Sequence, residues 1–262
     1  TSPRFDATDI ERIRAQVISS LRRETTNPTS LASRKFLEVA FGDHPYGRQA
    51  NGTLESVPKI DVADLKDYVR RVIAKDTLRI AVVGDVDPDT LGKLLDKTFG
   101  RLPSKASLTP VADVEAAKPP QRAFIPLDVP QTVVTFGGPG IRRDDPKFMA
   151  AYVVNHILGG GGLSSRLYKE VREKRGLCYT VNASLHTQRE RASVLCYAGT
   201  TAERAQETLD VTVGELVRLA KGIEQSELDR LKARIKSSLI MQQESTSARS
   251  GPARVTSCWS AG

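Results

Sequence analysis

The stretch that decides the fold is ILGGGGLSSRLYKEVREKRGLCYTV, residues 157–181. A helical apolar pattern leads into it, and the four glycines at 159–162 predict the end of that helix. Residues 164–174 predict a second, strongly charged helix. Residues 177–185 and 192–198 are rich in β-formers and predict two adjacent strands. This order indicates helices packed on one face of a largely antiparallel sheet.

Hydrophobic periodicity on either side of this stretch predicts further strands and helices. A strand is predicted at 131–136, and long amphipathic helices are predicted at 201–219 and 225–243. Towards the N-terminus, apolar residues at helical spacing predict helices near 10–21 and 31–41. Two further helices are predicted to begin after the cap residues Asp61 and Asp87. The apolar run at 78–84 predicts another strand.

Residues 102–120 contain four prolines and little periodicity, which predicts a linker. The fold class is therefore predicted as α+β, with two related half-domains that each hold a largely antiparallel sheet with helices on one face. Residues 1–101 form the latter part of the first half-domain, and residues 121–250 form the second. Residues 251–262 fit no helix or strand pattern and are interpreted as a disordered or artificial tail.

Composition narrows the class of protein. The 262 residues are 39% hydrophobic and 27% charged, as in ordinary soluble globular proteins, and no apolar run reaches the roughly 20 residues that span a bilayer. No targeting segment is visible, so the compartment is left open.

The basic residues that give the net charge of +8 are scattered among acidic residues, and aromatics make up only 5%, which argues against nucleic-acid binding. The three cysteines have no Cys-x-x-Cys spacing, so no disulfide framework or zinc ribbon is expected.

Several motifs occur together with the opening stretch. These are FGDHPYG at 41–47, AVVGDV at 81–86 and GGPG at 137–140. In this order they resemble the pitrilysin/insulinase-type zinc peptidases, the group of mitochondrial processing peptidase, over roughly residues 5–250. The resemblance implies repeated α/β half-domains and zinc-dependent peptide hydrolysis.

The zinc motif of that group, His-x-x-Glu-His, is missing. The three histidines, His44, His156 and His186, are each followed by other residues. A zinc peptidase needs at least three protein ligands and an open water position. The chain alone is therefore expected to bind no zinc and to hydrolyse no peptide. Zinc is expected in the parent or complex, supplied by a zinc-site half in the same parent chain or on a homologous partner subunit.

Glu11 is a tentative remnant of that metal site. The stretch IERIRAQVI at 10–18 matches the pattern around the family's third ligand, and the resemblance places Glu11 at that ligand. The alternative is a solvated carboxylate that suits the helix dipole in a first turn.

Arg172 and Tyr179 are predicted to bind substrate. The resemblance implies that an Arg and a Tyr at this spacing reach from the non-metal half and hold the substrate backbone. A guanidinium and a phenol can both donate hydrogen bonds to a peptide carbonyl without recognising side chains. The alternative is a solvated Arg at a basic helix end and a Tyr in the core. No residue of this chain is predicted to be catalytic.

The leading interpretation is the substrate-binding, non-metal portion of a zinc-dependent metallopeptidase, with a peptide as its ligand. The second is a catalytically inactive peptidase-like subunit with an assembly or scaffolding role. A basic nucleic-acid module is a third interpretation, which rests on net charge alone and predicts a steep salt dependence of binding.

Overall fold

The computed structural model describes residues 3–118, 121–188, 191–245 and 249. These fall into two units, the first made of residues 3–19, 53–110, 235–245 and 249, and the second of residues 20–52, 111–118, 121–188 and 191–234. The regular elements are α1 Ala7–Glu24, α2 Pro28–Phe41, α3 Val62–Val72, α4 Pro88–Phe99, β1 Thr132–Pro139, α5 Phe148–Asn155, β2 Cys178–Thr187, β3 Ala192–Thr200, α6 Ala205–Ala220 and α7 Gln225–Gln243. Short 3₁₀ turns lie at Pro45–Gly47, Val57–Lys59, Lys75–Thr77 and Gly162–Ser164, and π-helical turns at His156–Gly160 and Tyr168–Glu173.

The second unit contains a three-stranded sheet in the order β1-β3-β2, with both pairs antiparallel. Its core draws on the π-helical segment and on β3, since Leu167 and Val171 are fully buried and Cys196 and Ala198 are 1% exposed. The buried hydroxyl of Thr200, at the end of β3, donates to the carbonyl oxygen of Leu177 at 2.6 Å. This bond ties the last residue of β3 to the residue that precedes β2.

The described part of the first unit consists of capped helices and turns. Asp61 and Asp64 form a capping box at the start of α3, and the Asp87 side chain accepts from Thr90 N–H at the start of α4. Arg14 Nη1 donates to the carbonyl oxygen of Val57 at 2.8 Å, which ties α1 to the turn before α3.

The strand predicted at residues 78–84 is wrong for this structure. No ladder includes these residues, and the described residues of the first unit contain no strand at all. Ile80 and Val82 are 44% and 46% exposed. A β-forming sequence becomes a strand only when another strand supplies hydrogen bonds and cross-strand side-chain contacts.

The other predicted elements are confirmed, as is the mixed class of helices with an antiparallel sheet. The stretch at 102–118 has no helix or strand, as expected of a linker. The division into half-domains on either side of that stretch stays a prediction, and the tail at 251–262 lies outside the described residues. In the described part of the chain, no helix has both the length and the apolar character needed to cross a membrane.

Candidate functional site

Arg172 lies on the π-helical turn Tyr168–Glu173, which leads directly into β2. The wider turn is closed by the N–H of Lys174, which donates to the carbonyl oxygen of Lys169, five residues back, at 2.9 Å. Gly176 then reverses the chain with φ +59°, a conformation that glycine adopts without steric penalty. The reversal brings the start of β2 back beside the helix that carries Arg172.

Tyr179 occupies a β-bulge at the start of β2. Cys178 lies opposite Thr200 and Thr180 lies opposite Gly199, so Tyr179 is the extra residue without a partner on β3. A bulge interrupts the strict alternation of a strand and re-aims the side chain at that position. The Tyr179 side chain accordingly projects outward and is 74% exposed.

These two features bring Arg172 and Tyr179 together. The Arg172 Cζ atom lies over the Tyr179 ring, 4.9 Å from its centroid, within the range of a cation–π contact. The same Cζ atom lies 4.8 Å from the centroid of the Tyr168 ring, so one guanidinium touches two aromatic rings. Sequence reasoning missed Tyr168, although its position four residues before Arg172 on a helix was a usable signal.

Three other charged side chains near Arg172, those of Glu170, Lys174 and Arg175, are engaged with one another. Glu170 accepts from Lys174 Nζ at 2.7 Å and from Arg175 Nη1 at 3.0 Å, and Arg218 Nη2 lies 3.7 Å away. The hydrogen bond from Lys174 is the main cause of the lowered pKa of the Glu170 carboxyl. Arg175 is therefore held at Glu170, whereas Arg172 lies against the tyrosines.

The glycine run at 159–162 has a packing role. A Cβ atom on Gly159 would lie 2.3 Å from the backbone nitrogen of Ala183 in β2, and one on Gly161 would lie 2.8 Å from the carbonyl oxygen of His156. Arg234 of α7 donates from Nη1 to the carbonyl oxygen of Gly161 at 2.8 Å. The run thus allows the end of α5 to approach the sheet closely.

A bidentate ion pair joins the helical segment that carries Arg172 to α7. Arg166 donates from Nε and Nη2 to the two carboxylate oxygens of Glu227 at 2.8 and 2.6 Å. The two side chains are only 10% and 15% exposed. The hydrogen bonds from Arg166 are the main reason that the pKa of Glu227 falls to about 2.

The residues present do not fit a zinc ion. Glu11 lies in the first unit with 68% of its side chain exposed, and both of its oxygens accept from Arg14 Nε, at 3.2 and 3.3 Å. His44 and His186 are hydrogen bonded to Ala112 and Ser184, and the pKa of His156 is lowered by its burial. Within the described ranges, no three His, Cys, Asp or Glu residues lie together as a metal site would require.

The fold and these side chains define an α+β module that carries a half-buried Arg172 against an exposed Tyr179 and, in its described part, no zinc-ligand set. A family model described as the peptidase M16 inactive domain matches residues 59–235, more than half of the chain. The chain belongs to the M16 peptidase family and contains its inactive domain. This finding confirms the family predicted from the motifs.

Individual relatives agree with this assignment. An uncharacterized zinc protease of Mycobacterium bovis is 32% identical over an aligned length of 253 residues, and the match covers 94% of this chain and 57% of that protein. A crystal structure of a peptidase M16 inactive domain from Pseudomonas fluorescens has a TM-score of 0.88 at 31% identity, covering 96% of this chain and 60% of that one. A chain of complex III from Candida albicans, 17% identical with a TM-score of 0.70, shares the fold; the match covers 91% of this chain and 58% of that one. This chain thus spans less than two thirds of each of these proteins.

Proposed function

We propose that this chain is the substrate-binding, non-metal portion of a zinc-dependent metallopeptidase. Peptide hydrolysis then requires a zinc-site half, in the same parent chain or on a homologous partner subunit. The zinc protease names of its relatives support zinc in that half. The observation that carries the proposal is the contact between the Arg172 guanidinium and the bulged, exposed Tyr179.

The chemistry of this pair suits the backbone of a peptide. Among the described residues, no hydrogen bond or ion pair engages the Arg172 guanidinium or the Tyr179 hydroxyl, so their donors are free for a ligand. Both groups donate to carbonyl oxygens, and both would donate more strongly to an oxyanion that forms on the same atom. The role of this chain in the reaction is then to orient the substrate and to polarise its carbonyl group.

The test is peptide hydrolysis by the full-length parent protein, or by the complex of this chain with its zinc-site partner. Fluorescein-labelled casein serves as the substrate. Tyr179→Phe removes one donor and keeps the ring, and the loss of one oxyanion donor lowers the rate by up to about 10²–10³ in other enzymes. Arg172→Lys keeps the charge and loses the planar fork, so we expect it to be impaired as well. The matched control is Arg175→Lys, because Arg175 is bound to Glu170 and not to the tyrosines.

Two outcomes would contradict the proposal. In the first, Tyr179→Phe and Arg172→Lys retain full turnover while their thermal unfolding is unchanged. In the second, the full-length zinc-loaded protein hydrolyses no peptide and instead purifies as a stable subunit of a larger complex. The second outcome would favour a catalytically inactive subunit with an assembly role, an alternative supported only by the fold shared with the complex III chain.

A further inference from the structure

We infer that Tyr168 is a positioning residue of the substrate site, whose ring holds the Arg172 guanidinium against Tyr179. The inference rests on the proposed function of that pair. Arg172 Cζ lies 4.8 Å from the Tyr168 ring centroid and 4.9 Å from the Tyr179 ring centroid. Both distances are inside the roughly 6 Å limit for attraction between a cation and an aromatic face.

The two rings replace the carboxylate that commonly holds an arginine in place. No carboxylate among the described residues pairs with Arg172, because the nearby Glu170 is occupied by Lys174, Arg175 and Arg218. An arginine held by a carboxylate has part of its charge neutralised and some of its N–H groups engaged. Contact with ring faces restricts the same side chain and leaves the N–H groups at its edge free to donate.

Tyr168 is well placed to restrict Arg172, because the chain on both sides of it is immobilised. Its N–H lies 3.3 Å from Ser165 Oγ, and that buried hydroxyl donates to the carbonyl oxygen of Gly162 at 2.7 Å. The neighbouring side chains Leu167 and Val171 are fully buried. The Tyr168 ring thus extends from a fixed backbone and can limit the rotamers that Arg172 adopts before substrate binds.

The test compares Tyr168→Phe, which keeps the ring, with Tyr168→Leu and Tyr168→Met, which remove it and retain apolar bulk. The first readout is the NMR spectrum of this chain with labelled arginine. Ring currents from two faces should shift the Arg172 Cδ protons upfield. We expect Tyr168→Phe to retain that shift and the two ringless variants to lose much of it. Removal of the Tyr168 ring abolishes its own ring current even if Arg172 does not move, so the diagnostic quantity is the contribution of the Tyr179 ring, measured in each background as the change caused by Tyr179→Leu. A residue that only fills space would leave that contribution unchanged in all variants that fold.

The second readout is peptide turnover by the full-length parent or complex. We expect Tyr168→Leu and Tyr168→Met to lower kcat/KM by roughly 2- to 30-fold, the range that one cation–π contact covers, and Tyr168→Phe to leave it unchanged. In an Arg172→Met background, the further loss from Tyr168→Leu should disappear, because the two residues act as one unit. Additive losses would count against the inference.

The outcomes separate the two proposals. If Tyr179→Phe and Arg172→Lys impair turnover while the ringless variants fold and keep both the Tyr179 contribution to the Arg172 shift and full turnover, the inference about Tyr168 is wrong and the proposed function stands. If Tyr179→Phe and Arg172→Lys are themselves harmless, both proposals are overturned. Loss of the Tyr179 contribution and of turnover in the ringless variants, with both retained in Tyr168→Phe, supports the positioning role.

Discussion

Residues 78–84 and the strand β3 are both apolar and rich in β-formers, yet only β3 is a strand. β3 lies between two partners, and its residues Cys196 and Ala198 are 1% exposed. In the first unit, Ile80 and Val82 remain 44% and 46% exposed, and the described residues offer them no partner strand. The comparison shows that the long-range contacts of a strand decide whether its sequence preference is realised.

The ion pair of the second unit and the helix caps of the first differ in the same way. In the second unit, Arg166 reaches across 61 residues of sequence to Glu227. In the first unit, the caps of α3 and α4 join residues three positions apart, as Asp61 and Asp64 do. We therefore expect substitutions in the long-range framework of the second unit to be more destabilising than those at the local caps of the first.

The largest expected effect is that of Glu227→Gln. Arg166 lowers the pKa of Glu227 from 4.5 to about 2. Because the folded pKa lies below the unfolded value, the stabilisation is fully present above pH 4.5 and is lost as the pH falls towards 2. At about 1.4 kcal/mol for each pKa unit, we expect the substitution to lower the free energy of unfolding at pH 7 by up to about 3.5 kcal/mol.

Urea unfolding at pH 7 and at pH 3, followed by circular dichroism, measures this effect. The stability of the Glu227→Gln variant should also change less between these two pH values than that of the unsubstituted chain. Glu207→Gln is the control, because Glu207 is exposed on α6. An equal loss in both variants would mean that the Arg166–Glu227 pair adds nothing specific.

The next effect is that of Gly159→Ala, compared with Gly138→Ala in β1. The new Cβ atom at position 159 would lie 2.3 Å from the Ala183 nitrogen, whereas at position 138 nothing lies within 4 Å. Overpacking of this kind costs about 1–3 kcal/mol. We expect the thermal midpoint to fall clearly for Gly159→Ala and to stay nearly constant for Gly138→Ala. Similar midpoints in the two variants would show that the glycine run tolerates a side chain.

A smaller and local effect is expected at Asp61 in the first unit. Asp61→Ala removes the acceptor for the Asp64 N–H, a bond of 2.8 Å, and should cost about 1 kcal/mol. Asp61→Asn keeps an acceptor oxygen and should cost little. Hydrogen exchange locates the effect, since protection should fall in α3 and remain unchanged in β3. A loss spread evenly over both elements would contradict the local character of this cap.

Sequence reasoning identified the elements that local signals determine. The helix predicted at 31–41 ends at Phe41 before Gly42, which has φ +52°, although it begins three residues earlier, at Pro28; the Asp61 cap begins α3 as predicted. The two residues named from the sequence as substrate-binding, Arg172 and Tyr179, also lie in contact in the structure, on either side of the turn at Gly176.

The features that were missed depend on partners distant in sequence. The bulge at Tyr179 exists only in relation to the register of β3, and the Arg166–Glu227 pair exists only because α7 packs beside the charged helix. The strand at 78–84 was predicted wrongly for the same reason, because the sequence pattern carries no information about whether a partner strand is present. Distant pairing therefore limits what one sequence reveals about this site.

The smallest expected effect is that of zinc on this chain. The Glu11 carboxylate is paired with Arg14, and the donor atoms of the described residues do not converge on one point as a tetrahedral zinc ion requires. We expect the purified chain to retain no stoichiometric zinc after dialysis and to show the same thermal midpoint with and without the metal, and Glu11→Gln to behave in the same way. Elemental analysis measures the bound zinc, and thermal unfolding measures the midpoint.

One equivalent of zinc that survives dialysis, together with peptidase activity that a chelator abolishes, would show that the chain holds a complete metal site. Zinc binding that disappears in Glu11→Gln would instead show that this carboxylate is a ligand, and the comparison between the two units would then have to include a metal centre in the first.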